Sequence, residues 1–288
     1  MANREQYATC AGNWTLPAEL PHSSEKVQVV YWITTILLAA AMLAGGAGQL
    51  LHTNRIVDVF THLRYPLYFS YILGVWQILG VPAILIPKFG VLKEWAYAGL
   101  FFLYTGAAAS HWRLGDPPVI CLVPLAFALV AMVSWSLRPP SRKPQPAIAE
   151  PRKSSRSQAV FYWIATILVA LVLISGGWWM MSNSRLSVDQ NPLLGFPAYF
   201  WQLLGFWKIL GGIAILVPRF RLIKEWAYAG IVFNMTGATA ARVLTSDSTA
   251  HIIAPLVIFG ITLLSWMLRP HSRSLYAASS AWIKQHLS

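Results

Sequence analysis

The sequence predicts an all-α polytopic membrane protein of eight transmembrane helices, arranged as two tandem four-helix bundles. Three observations carry that reading: a composition too apolar for a water-soluble chain, an internal repeat that needs no gap, and four apolar runs of spanning length in each copy of the repeat.

Of 288 residues, 56% are hydrophobic and only 11% are charged. A soluble domain could not bury that much apolar surface, so lipid is the expected solvent. The 14 Trp and 11 Tyr suit this, because amphipathic rings collect at membrane–water interfaces. A net charge of +12 invites a nucleic-acid reading. Here, however, Lys and Arg stand in short loops beside apolar runs, where they report membrane orientation, and no nucleic-acid partner is expected. Cys10 and Cys121 form no C-x-x-C pair, which argues against dithiol chemistry.

The repeat appears at an offset of 131 positions. It brings Tyr31 and Trp32 onto Tyr162 and Trp163, Gly45 and Gly46 onto Gly176 and Gly177, and Pro124 onto Pro255. The densest stretch aligns Lys93-Glu94-Trp95-Ala96-Tyr97-Ala98-Gly99 with Lys224-Glu225-Trp226-Ala227-Tyr228-Ala229-Gly230, and both copies close on Ser-Trp and Arg-Pro pairs. Duplication of one unit accounts for all of it.

A hydrocarbon core of about 30 Å requires roughly 17 to 25 helical residues. Runs near that length fall at 27–51, 66–87, 94–111 and 119–137, and again at 158–182, 197–218, 225–242 and 250–268. Four spans per copy leave both copies facing the same way, a parallel repeat. Of the 22 Lys and Arg, only Arg55, Arg64, Arg113, Arg185 and Arg242 fall in the loops opposite the N-terminus, and Lys208 falls inside a span. The positive-inside rule therefore puts both termini in the cytoplasm and the chain in the inner membrane. The expected organisation is a cytoplasmic arm at 1–26, a first unit at 27–137, a basic proline-broken cytoplasmic linker at 138–157, a second unit at 158–269 and a cytoplasmic tail at 270–288. The tail, with Trp282 and Ile283, reads as a short interfacial helix. The first apolar run exceeds a signal h-region and reads as an uncleaved anchor.

These motifs resemble the DoxX-like family of small four-helix membrane proteins. The Lys-Glu-Trp-Ala-Tyr-Ala-Gly opening of the third helix is the most specific point of likeness. The family's Leu-Gly-aromatic-Pro element is similar to Leu194-Gly195-Phe196-Pro197, where copy one has Leu63-Arg64-Tyr65-Pro66. Its Gly-x-x-Lys-x-x-Gly pattern resembles Gly205 to Gly211 around Lys208, where copy one has Gln77. Its Ser-His pair matches Ser110-His111, where copy two has Ala241-Arg242. The resemblance implies a four-helix membrane unit and a link to redox or thiol homeostasis, but a fold does not by itself specify an activity.

Lys208 stands roughly 15 Å from either end of its span at about 1.5 Å per residue, too deep to snorkel. Two readings follow, a ligand or proton-linked site and a polar clamp between helices. Glu94 and Glu225 open the third helix of each copy, beside a Lys that can snorkel outward. They read as interfacial anchors favoured by the helix dipole or as proton carriers. His111 is the fourth candidate. It lies with His52, His62, Asp58 and Asp116 near the outer face, yet their spacing matches no recognised ligand set, so interface polarity is expected there and no metal site. The glycines within spans read as helix-packing positions, and mid-span Trp76 and Trp207 as packing or cavity-lining groups.

Three function classes remain. The resemblance implies an accessory or anchor component of a membrane redox system, with a quinone as its ligand, a redox protein as partner and homo-oligomers as a further association. Eight spans, duplication and a mid-membrane Lys also suit a small-molecule transporter or permease. A structural membrane protein without ligand is the third. No phosphate loop, dinucleotide fingerprint or nucleophile–base set points to an enzyme.

Overall fold

The computed structural model describes residues 25–87, 89–143, 155–270 and 273–275. Cys10, most of the basic linker and the interfacial helix expected in the tail lie outside the described residues. Among the described residues there are ten α-helices and no strand. The long ones are α1 (Glu25–Leu50), α3 (Tyr68–Leu85), α4 (Gly90–Leu114) and α5 (Pro118–Ser136), followed by α6 (Arg156–Ser182), α8 (Ala198–Leu216), α9 (Arg221–Leu244) and α10 (Thr249–Met267). Two short helices, α2 (Asn54–His62) and α7 (Ser184–Gln190), occupy segments for which the sequence predicts only loops.

Six helices, α1, α3, α5, α6, α8 and α10, are long and apolar enough to cross a membrane. Their outward faces are greasy: Ile33, Ile36 and Leu37 on α1 and Ile164, Leu168 and Leu171 on α6 are exposed, as side chains solvated by lipid are. Helices α4 and α9 have 25 and 24 residues, also of spanning length, but charged residues at both ends make them more polar.

In the first copy α1 packs on α3 and α5, and α4 packs on the same two, closing a four-helix ring; α6, α8, α9 and α10 repeat it. Within each ring the first and second long helices approach closely enough that glycine is required. A methyl group at Gly205 would stand 2.5 Å from the Gly177 carbonyl oxygen, and one at Gly74 would stand 3.0 Å from that of Gly46. Gly106 and Gly176, which the sequence groups with Gly46 and Gly177 as packing positions, face open space.

At the linker end each ring is tied by one polar network. Lys93 is fully buried, and its ammonium donates to the carbonyls of Ala83, Ile84 and Ile86; Lys224 does the same for Ala214, Ile215 and Val217. The expectation that these lysines reach outward is therefore corrected. Those carbonyls end α3 and α8, where the helix leaves acceptors without intrahelical donors, and the lysine satisfies them. Arg142 and Arg273 add donors to the same helix ends. Deeper in, Thr35, Ser134 and Tyr97 share hydrogen bonds of 2.8 Å, matched by Thr166, Ser265 and Tyr228 at 2.7 Å. The two rings meet mainly through α4 and α9, with α3 and α8 flanking.

Candidate functional site

The interface between the rings is a pseudo-two-fold arrangement, and it forms a partly open chamber. Its linker end is built from the Lys-Glu-Trp motif. Glu94 accepts from Arg138 at 2.6 Å and from Trp135 at 2.8 Å within its own ring, and from Trp226 of the other ring at 3.2 Å. Glu225 accepts from Trp266 and, across the interface, from Trp95, both at 2.8 Å; Arg269 pairs with it at 2.9 Å, off the hydrogen-bonding direction. Both carboxylates are buried and both guanidinium groups lie near aromatic faces, Arg269 at 4.8 Å from the Tyr228 ring centre and Arg138 at 5.2 Å from that of Tyr97. The α4 helix begins at Gly90, which puts Glu94 beyond its first turn; the ion pair, rather than the helix dipole, holds the charge.

The opposite end is closed by aromatic rings. Tyr68 donates to the Leu194 carbonyl and Tyr199 donates to that of Leu63, again equivalent bonds exchanged between the copies. Phe196 and Phe200 stack at 4.0 Å, with Tyr65 and Phe69 edge-on to them.

Between these ends lies a chamber of about 1530 Å³. Trp76 and Trp207 line it and pack edge-on against Phe233 and Phe102 of the other ring, at 4.9 and 5.1 Å. Gly99 and Gly230 make room for those two Phe rings. The lining is apolar with few polar groups: Lys208, Gln77, Asn234, Arg242 and His111 among them, and, among the described residues, no carboxylate.

The two copies differ inside this chamber. Gln77 donates to Gln49 at 2.8 Å, so copy one pairs its mid-span polar group internally. The equivalent positions in copy two are Lys208 and Met180, and Lys208 has no hydrogen-bond or ion-pair partner among the described residues. Asn234, where copy one has Leu103, also lines the chamber, and its buried Oδ1 lacks a hydrogen-bond donor. Sequence reasoning missed Asn234 and Gln49; both are visible as polar-for-apolar differences between the repeats.

His111 lines the chamber at the end remote from the linker. Its Nδ1 lies 2.6 Å from Asp116, and His62 Nε2 lies 2.9 Å from the same carboxylate, while His52 bonds Ser70 instead. Copy two has Arg242 on Asp247 at 2.5 Å and His251 on it at 2.8 Å. The imidazoles, His111 first and His62 second, hold the Asp116 carboxyl below the usual carboxylate range. Asp247 is held down at about 2, mainly by the His251 hydrogen bond. Of the four candidates from the sequence, Lys208 and His111 thus share one chamber. Glu94 and Glu225 lie behind its linker end, bonded to the lining rings of Trp226 and Trp95.

The model of the DoxX-like family matches this chain twice, at residues 33–134 and 164–265, over more than two thirds of its length and at the repeat offset already seen. The chain belongs to the DoxX-like family. It is a tandem two-unit member, and membrane residence follows from the family and the six apolar helices together. No curated protein and no solved structure matches it.

Proposed function

We propose that this DoxX-like protein holds a lipophilic ligand with an acceptor-bearing head, of the quinone class, between its two units, as an accessory component of a membrane redox system. The observation that carries the reading is the unpaired Lys208 ammonium in an apolar chamber without carboxylates. A charge at that depth is costly unless something accepts from it, and a head-group carbonyl supplies that acceptor. Lys208 would hold the head, Trp76 and Trp207 would flank it, and the apolar lining would take the tail. Glu94 and Glu225 serve as the clamp beneath it. All four long helices of each ring cross the bilayer, with α4 and α9 shielded from lipid by the opposite ring where they are polar, and both termini lie in the cytoplasm of the inner membrane.

The experiment is extraction and mass spectrometry of lipids from the purified full-length protein. Quinone near one per chain supports the reading. Its absence, together with solute uptake by proteoliposomes, would move the assignment to transport. Single cysteines at Ser141 and Thr53 test the topology: an impermeant thiol reagent should reach only Thr53→Cys in intact cells, and labelling of Ser141→Cys would overturn it.

A further inference from the structure

We infer that His62, His111 and Asp116 form a binding site for a first-row divalent metal ion at the end of the chamber remote from the linker. Their ligand atoms all lie within 4.8 Å of one another, and the carboxylate is already 2.9 Å from His62 Nε2 and 2.6 Å from His111 Nδ1. Two imidazoles and one carboxylate on one side of an ion, with the remaining positions open to water, is a donor set that takes Zn²⁺ and its neighbours. With metal–ligand distances of about 2.0–2.2 Å, small side-chain rotations suffice to admit an ion.

Two segments deliver the three groups. His62 ends α2, His111 is in the last turn of α4, and Asp116 follows the left-handed Gly115 that terminates that helix. The short helix α2 thus carries one ligand to the other two. The His62 side chain is 53% exposed against 15% for His111 and 11% for Asp116, so the cluster has an open side for entry and for water.

The second copy supplies the physical contrast. There the equivalent carboxylate, Asp247, is paired with Arg242, a permanent cation, and the position of His62 is Leu193. In the first copy no Lys or Arg pairs with Asp116 among the described residues. Asp247 holds a guanidinium and one imidazole, that of His251, whereas Asp116 holds two imidazoles and so has no fixed counter-charge; a divalent cation between the three groups restores it. The ion would sit beside His111 on the chamber wall, and its binding does not depend on which ligand the chamber takes.

The test uses the full-length protein in detergent, stripped with chelator and titrated with Zn²⁺, and with Co²⁺ for its visible absorption. One tight ion per chain is expected. The double variant His62→Leu/His111→Arg installs the copy-two residues, whose Arg–Asp pair keeps the loop tied, and it should lose that ion while keeping its Tm. His62→Leu alone, altering only the most exposed ligand, should weaken binding strongly and guards against failure of the double variant to fold. No stoichiometric binding by the parent protein, or binding unchanged in His62→Leu, would overturn the site.

Discussion

The linker end of the molecule and the chamber above it have diverged differently since the duplication. At the linker end the two copies are near-replicas: Lys93 and Lys224 cap the same carbonyls, and Glu94 and Glu225 take the same arginine and the same two indoles, one from each ring. In the chamber the copies part company, with Gln77 against Lys208, Leu103 against Asn234, and His111 against Arg242. A network of buried charges that hold one another tolerates little change, since removing one strands its partner. A cavity wall meets no such constraint, so its differences are the better guide to what the protein binds. The Lys-Glu-Trp motif is therefore scaffold, and the residues that break the repeat mark the chamber.

Breaking the clamp gives the largest expected effect. Arg138→Ala leaves the Glu94 carboxylate buried beside two indoles and should lower stability by about 3–5 kcal/mol, read from denaturant titration in detergent. Arg269→Ala should do the same in copy two, and a marked inequality between them would break the symmetry argument. Next in size are the glycine contacts. Gly205→Ala pushes a methyl group onto the Gly177 carbonyl and should destabilise by about 1–3 kcal/mol, whereas Gly106→Ala enters open space and should be neutral or gain up to about 1 kcal/mol from helix propensity.

The repeat, the helix class and the long helices were legible in the sequence, because apolar runs and a constant offset are periodic signals that survive without coordinates. Side-chain direction was not legible. Lys93 and Lys224 beside a helix start look like residues that reach for water, and only the return of α3 and α8 beneath them shows carbonyls within reach. Glu94 likewise depended on where α4 begins and on a tryptophan from the other copy. His111 and Lys208 could be singled out as odd residues, yet their common chamber is a product of the interface between rings, which no single-copy pattern encodes. The role of α2 in carrying His62 to Asp116 was hidden for the same reason.

A smaller effect sharpens the contrast between the two carboxylates remote from the linker. The Asp247 carboxyl is depressed to about 2 in the folded chain, below the ordinary value of about 3.9. Its contribution to stability is therefore complete above about pH 4 and lost as pH falls toward about 2. Asp247→Asn should flatten the acid limb of the Tm–pH curve in that window. Asp116→Asn should act in the same direction, since its carboxyl is also held low.

The central claim is that the chamber's ligand is held by the residue at which copy two departs from copy one. Quinone content per chain, measured side by side for the parent protein and for Lys208→Gln, tests it most directly. The account expects near-stoichiometric quinone in the parent and little in Lys208→Gln. Equal quinone in both, or none in either, would contradict it.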